Sequence, residues 1–332
     1  MAVEWAPGLG VTQGGLHGAV RAIVLDALGK QVGETLVKNV DLRGELGVGV
    51  GTVQRALDLL ADRGALQTVS RGHMGRRIEA VDLGQCWQAA GLAPVRVLMS
   101  PPGSVEIDSL EAWLSGELVR LGVPHTLTHV RGGNQRLDDL TSGASDLTVV
   151  SAGTFDGLSA RWSGHARPAY RRLGPGSYYA HDRLLVLSSS AHADAAGFAR
   201  IAIDRESFDH EALTLAEFPP GPDRRYIDVP FPEVPAFVLA GVADAGVWHR
   251  ISSPVPLHLS QLRHRTMSAR AAAVRDRLSG ATIVARSERR ELRAVVDALV
   301  IENLDSHRDA AIAAEAAMAA RLELAVRQSA GS

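Results

Sequence analysis

Cys86 is the only cysteine in this chain of 332 residues. That excludes an intramolecular disulfide and leaves no thiolate set on which to build a zinc site. Lysine is nearly missing as well. Of 35 basic residues only Lys30 and Lys38 are lysines, a bias that reads as GC-rich coding rather than chemistry. No apolar run approaches the roughly 20 residues needed to span a bilayer. Residues 1–15 hold no basic segment leading into an apolar core, so a secretory leader is not expected. These absences make the expectation a cytoplasmic protein with no membrane partner. The net charge of −2 gives no overall pull toward nucleic acid.

A catalytic set is lacking too. There is no G-x-S-x-G elbow, and Cys86 beside Trp87 reads as buried rather than nucleophilic. His125 and His129 lie four apart in an expected strand, where a zinc helix would need helical spacing and a carboxylate between them. His249, His258 and His264 fall in different elements. Asp204, Asp209, Asp228 and Asp244 form a conceivable carboxylate cluster, but helix caps and strand-end partners are the commoner use of aspartate. The expectation is a non-enzyme with no cofactor and no metal.

What is present is ample core material, 46% hydrophobic against 22% charged, enough for two or three domains. Residues 42–78 organise it. They read as a short helix, a Gly-containing turn, a longer helix and a two-stranded ribbon with a basic, Gly-rich tip, the layout of a winged helix-turn-helix. A first helix is expected from residue 16, with Leu16, Val20, Ile23, Val24 and Leu28 on one face. The second spans residues 39–46, with Asn39 or Asp41 as cap. Val48 plugs the turn. The third starts near Gly49 or Gly51, turns Val53, Ala56, Leu57 and Leu60 inward, and stops at Gly64. Its outward N-terminal residues, Thr52, Gln54 and Arg55, are the candidates for base and phosphate contact. Each taken singly is also an ordinary solvated helix residue. Strands are expected over 65–69 and 76–81. Between and beside them, Arg71, His73, Arg76 and Arg77 concentrate positive charge suited to phosphates or a minor groove. Residues 16–80 carry nine Lys/Arg against seven Asp/Glu, so the rest of the chain holds the negative surplus. The GVGVGT run at 47–52 follows a helix, not a strand, and is not a dinucleotide loop.

After a linker helix over residues 83–91 the periodicity changes. Strands over 95–99, 125–130 and 146–150 alternate with helices over 107–121 and 135–142, which argues for a parallel sheet with helices on its faces. Strands over 181–188, 199–204, 226–230 and 244–247, with a helix over 234–240, repeat that grammar. Two α/β lobes with a cleft between them is the economical reading. A late strand over 282–285 is expected to return to the first lobe. Residues 288–328 are helical with a break at 303–306, the last part packing on its own lobe or on a partner subunit. Ligands of such sheets sit at the carboxyl ends of strands. The candidates there are Ser100, Ser104, Arg131, Ser151 and Thr154 from one lobe and Ser207 and Asp228 from the other. Helix N-termini beside them favour an anionic group. Arg131 reads either as the partner of a ligand carboxylate or phosphate, or as a structural partner of Asp146.

Two sets of residues carry a family resemblance. GETL at 33–36, Leu42, Leu46-Gly47-Val48, Thr52-Val53, Arg55-Ala56-Leu57, Leu60 and Gly64-Ala65-Leu66 resemble the GntR-type winged helix. GTVQRAL at 51–57 followed by RGHMG at 71–75 is similar to the YhfZ-type regulators. So are, in order, Trp87 with Ala90-Gly91, Met99 with Pro101, Arg131-Gly132 with Arg136, Asp146 with Val150-Ser151, Asp204 with Ser207 and Asp209, and Asp244-Ala245 with Val247-Trp248. The resemblance covers residues 33–300. It implies a winged helix fused to a domain like the type 2 periplasmic binding proteins, acting as a homodimer on a palindromic double-stranded DNA operator. It also implies that a small-molecule effector closes the cleft. Two departures stand out. Gly49-Val50 replaces the Ser-Arg usual at the start of a GntR recognition helix, which shifts weight to Thr52, Gln54 and the wing. MSPPGS at 99–104 replaces MPLPYS and lacks its tyrosine.

The expected division is therefore an arm over 1–15, a winged helix-turn-helix over 16–81, a linker helix over 82–93, a two-lobed α/β domain over 94–304 and a C-terminal helix over 305–332. The expected function is a ligand-responsive bacterial transcription regulator. The alternative is a cytoplasmic small-molecule-binding protein or enzyme that uses the lobes, with the winged helix making protein contacts.

Overall fold

The computed structural model describes residues 15–158, 167–180, 182–189, 197–251 and 262–330. The expected arm up to residue 14, His181 and His258 lie outside them.

Helix α1 (Leu16–Leu28) buries Ala19, Val20, Ala22, Ile23, Val24, Ala27 and Leu28. That is more than one stripe, because α1 is packed from several sides. Leu16, placed on the inner face from the sequence, is 38% exposed at the helix start. Helix α2 (Asn39–Leu46) and helix α3 (Val50–Asp62) are joined across Gly47, whose φ of +63° is a conformation that favours glycine. Helix α3 sends Val53, Ala56, Leu57 and Leu60 inward, as its periodicity requires. Strands β1 (Leu66–Ser70) and β2 (Arg76–Val81) form the antiparallel ribbon, with a single turn of 3-10 helix at Gly72–Met74 as its tip. A third edge was not legible in the sequence: Gly33 N–H donates to the Ile78 carbonyl, Ile78 N–H to Glu34 and Leu36 N–H to Arg76. Residues 33–36 thus brace the outer side of β2.

Helix α4 (Leu83–Ala89) is capped by Asp82, whose carboxylate accepts the Gln85 N–H. It buries Cys86 and Trp87 completely. Burial and nearby Asp82 push the Cys86 thiol up to about 12, so it stays protonated and inert.

The first lobe contains β3 (Val95–Met99), α5 (Val105–Arg120), β4 (His125–His129), α6 (Gly133–Ser142), β5 (Leu147–Ser151), α7 (Ala152–Leu158) and β6 (Ala169–Arg172). The chain then crosses to β7 (Leu184–Ser189), β8 (Arg200–Ile203), α8 (Phe208–Glu217), β9 (Arg225–Asp228), α9 (Val234–Leu239), β10 (Ala245–His249), β11 (Leu262–Thr266) and α10 (Ala269–Leu278). It returns with β12 (Ala281–Ala285), α11 (Arg290–Ala298) and α12 (Leu304–Ala330). Each lobe has one five-stranded sheet, β4-β3-β5-β12-β6 and β9-β8-β10-β7-β11. The orders are equivalent: three parallel strands, then an antiparallel strand that crosses from the other lobe, then an antiparallel edge. This is the doubly crossed arrangement of a type 2 periplasmic-binding-protein domain. The sheets are mixed, where the sequence pointed to a parallel sheet. The exposed edges β6 and β11 carry too little apolar alternation to be read in advance. The return of β12 to the first sheet agrees with expectation. The helix break falls at residues 299–303, ahead of the expected 303–306.

The two lobes repeat one device. Arg96, near the start of β3, donates from its backbone and guanidinium to Asp146, just before β5. Arg200, at the start of β8, does the same to Asp244, just before β10. In both, a fork clamps the first strand to the third. Asp146 is thereby paired with Arg96, with Arg289 at 3.5 Å, and the expected alternative of an Arg131–Asp146 pair is not what forms.

One apolar core runs without interruption from α1, α3 and β2 through Trp87 and Leu92 into β3, α5, β12 and α11. Asp26 on α1 takes Lys30 at 2.8 Å and the Val37 N–H at 2.7 Å, with Arg290 of α11 at 3.8 Å. The winged helix and the first lobe are one body. The second lobe has separate cores. Among the described residues no helix is long and apolar enough to cross a membrane.

Candidate functional site

The DNA-facing candidates divide by what holds them. Gln54 is committed at both ends of its amide: it donates to Asp58 at 2.7 Å and accepts from Arg76 at 3.2 Å. Arg76 also donates to the Thr68 hydroxyl. The Arg76–Gln54 bond ties α3 to the ribbon. Arg77 pairs with Glu79 on the same strand. Thr52 is half-buried, while Arg55, Arg71 and His73 are exposed. The tip that carries Arg71 and His73 is closed by Arg71 N–H on the Gly75 carbonyl, with Gly72 and Gly75 at φ of +61° and +90°. Exposed apolar side chains flank the same surface, Val50 at the start of α3 and Met74 on the tip. Their type gave no signal, because a lone valine or methionine reads as core.

Between the lobes lies a cleft of about 830 Å3. Ser100, Ser104, Arg131, Thr154 and Ser207 line it, as expected. Ser104 and Ser207 are N-caps, accepting the Ile107 and His210 N–H groups at the starts of α5 and α8. Two expected residues do not line it. Ser151 sits beneath the floor, accepting the Thr154 N–H and facing the buried carboxyl of Asp209. Asp228 is exposed outside, 3.1 Å from Arg205, because β9 is an edge strand whose end points past the cleft.

Arg131 of the first lobe reaches Asp204 of the second at 2.5 Å. Asp204 also accepts the Phe231 N–H at 2.7 Å and the Glu206 N–H at 3.1 Å. Burial pushes the Asp204 carboxyl up, but the Phe231 N–H and Arg131 outweigh it and hold the group below its ordinary range. Beside Arg131, the N-cap position of α6 is Gly132, so no side chain caps the helix. Asn134 in its first turn donates to the Glu206 carbonyl, and its own buried Oδ1 has no partner among the described residues.

The back of the cleft is aromatic and polar together. Phe231 stacks on Trp248 with ring centroids 4.9 Å apart, and Tyr179 stands edge-on to His249. The Tyr179 hydroxyl donates to Asp209, whose carboxyl is raised by burial. Arg136, 2% exposed, is consumed by the Val130 and Val149 carbonyls and the Tyr178 hydroxyl. Glu106 of α5 accepts the Ala180 N–H and lies 3.2 Å from His249 Nε2, joining both lobes to the crossing segment. These aromatics escaped sequence reading because they resemble core residues and lie far apart in the chain.

The profile of the YhfZ C-terminal domain matches residues 82–316, and that of a helix-turn-helix domain matches residues 31–78. The uncharacterized protein YhfZ of Escherichia coli (strain K12) is 24% identical over 225 residues, 68% of this chain and 71% of that protein. The crystal structure of YhfZ from Shigella flexneri superposes with a TM-score of 0.54 at 20% identity, covering 70% of this chain and 96% of that one. A periplasmic substrate-binding protein of an ABC transporter from Coxiella burnetii gives 0.42 at 13% identity, covering 65% of this chain and 96% of that one.

Proposed function

We propose, from the premise that the chain belongs to the YhfZ C-terminal domain family, that it is a transcription regulator whose hold on operator DNA responds to a small metabolite in the cleft. The observation that carries this reading is the single apolar core shared by the winged helix and the first lobe. A ligand that changes how the second lobe sits against the first then acts on a body to which the DNA-reading helix is fixed. In a homodimer, that shift alters the spacing of two recognition helices and hence their match to two half-sites.

The α3 N-terminus reads bases with Thr52, Arg55 and the amide hydrogen and lone pair that Asp58 and Arg76 leave on Gln54. Arg71 and His73 grip backbone phosphates, joined by Arg76 and Arg77 through guanidinium hydrogens not given to Gln54, Thr68 and Glu79. In the cleft, Arg131, Ser100, Ser104, Thr154 and Ser207 hold a metabolite that carries at least one acidic group. The reading is tested by fluorescence anisotropy with DNA from upstream of the adjacent gene and a scrambled control. Specific binding should weaken steeply between about 50 and 200 mM salt. Equal affinity for both DNAs at physiological salt would sink it.

A further inference from the structure

The cleft's charge balance goes further than an acidic ligand. Its lining holds three guanidiniums, Arg131, Arg136 and Arg205, against four carboxyls, Asp138, Asp204, Glu206 and Asp209. Arg136 is consumed by protein acceptors and Arg205 is paired with Glu211 and Asp228, so the positive charge left for a ligand is that of Arg131, which is 44% exposed on its side chain. It already faces Asp204, whose side chain is 5% exposed.

A plain anion drawn to Arg131 would take it from Asp204 and leave a buried carboxylate beside the incoming charge. A plain cation drawn to Asp204 would strand Arg131. The first exchange carries the cost of a desolvated charge with a lost partner, and the second swaps one ion pair for another with no gain. A ligand bearing both signs exchanges one ion pair for two and leaves nothing unmatched. The surroundings fit such a ligand. The uncapped start of α6 at Gly132 offers N–H groups to a carboxylate next to Arg131. The buried Oδ1 of Asn134, an acceptor with no partner among the described residues, suits an ammonium donor. The Phe231–Trp248 stack and Tyr179 supply an apolar wall for the rest of the molecule.

We propose that the effector is a zwitterion of the amino-acid type, its carboxylate on Arg131 and the start of α6, its ammonium on Asp204, and an apolar or aromatic body against Phe231 and Trp248. This rests on the cleft being the effector site. It excludes phosphorylated and polyanionic metabolites, for which the lining has no positive charge to spare.

The test uses the full chain, thermal shift and calorimetry. The probes are the L-amino acids, each with its matched deaminated acid and decarboxylated amine, and inorganic phosphate. At least one amino acid should bind, at least about tenfold tighter than either single-charge analogue, because the deaminated acid strands the buried Asp204 carboxylate and the amine forgoes the Arg131 contact. Asp204→Asn should reverse the preference, so that the deaminated acid binds at least as well as the amino acid. A purely structural role for Asp204 would weaken both alike. The proposal falls if phosphate or the deaminated acids bind the wild type as tightly as every amino acid, or if no probe binds. Operator binding is scored on the same preparation. Anions winning leaves the cleft as effector site and removes the zwitterion. Zwitterion binding without specific DNA binding keeps the site and removes the regulator.

Discussion

Arg131 and Asp204 lie 73 residues apart in sequence and 2.5 Å apart in space, one on each side of the cleft. The pair joins the two lobes across the cleft, and its pH response follows from the carboxyl. The folded pKa of Asp204 is depressed, so its contribution is complete above the ordinary aspartate value of about 3.9 and is lost as pH falls through the lower folded value. Closure followed by small-angle scattering should be flat from about pH 8 to 5 and loosen only below about 4. Arg131→Ala should loosen it at neutral pH at a stability cost of about 1 kcal/mol or less, since the guanidinium is 44% exposed. Loosening already near neutral pH in the wild type would assign closure to other groups.

The wing and the recognition helix predict different failures. Arg71 is exposed on the tip and is assigned to phosphate, so Arg71→Ala should weaken operator and scrambled DNA alike and lower the salt slope by about 1. Arg76 holds Gln54 in place, so Arg76→Ala should also blunt the preference for operator over scrambled DNA. Anisotropy titrations at several salt concentrations separate the two. An unchanged slope for Arg71→Ala would remove the tip from the interface.

How far the sequence reaches is visible in these residues. The helix-turn-helix was legible because Val53, Ala56, Leu57 and Leu60 repeat at helical spacing and glycines mark its turns. The inner strands were legible because β3, β5, β7 and β10 are nearly continuous apolar runs, as strands covered on both faces must be. The edges β6 and β11 were not, since polar side chains such as Arg171, Arg263 and His264 hide them. Asp204 could be proposed only as one of several aspartates. Its partner is set by the way two lobes face each other, which no local pattern records. Ser151 and Asp228 were placed in the cleft by the rule that ligands sit at strand ends. One lies under the floor, and the other is turned outward on an edge strand.

Glycines on α7 should respond unlike a glycine on α5. A Cβ at Gly153 would overlap Leu278 Cδ2 of α10 and come within 2.9 Å of Asp209 Oδ1, and one at Gly157 would overlap the Phe208 ring of α8. These positions let a first-lobe helix lie directly on second-lobe helices. Gly153→Ala should cost about 1–3 kcal/mol by overpacking and loosen the seam between lobes. Gly116, in the middle of α5, has nothing within 4 Å of its would-be Cβ, so Gly116→Ala should stabilise by about 0.5–1 kcal/mol. Thermal melts of both variants check the contrast. A neutral Gly153→Ala would mean that the lobes pack less tightly than this.

The last helix reaches from one lobe to the other. It packs along α5 of the first lobe, and Glu315 meets Arg183 at 2.5 Å where the chain enters the second. The Arg183 side chain is 8% exposed, its carbonyl accepts the Arg250 N–H, and its Nη1 has no partner among the described residues. Removing the carboxylate therefore strands a buried guanidinium. The full penalty for breaking a buried pair is about 3–5 kcal/mol. Because Glu315 is 23% exposed and water can approach, about 1–3 kcal/mol is expected for Glu315→Ala. Glu315→Gln keeps an acceptor and should lose less. For a chain of this size the alanine variant should melt a few degrees lower, roughly 1–2 °C per kcal/mol. Its closure, followed by scattering, should also loosen, because Arg183 stands at the crossing. A melting loss with closure unchanged would make the pair a clamp on α12 alone.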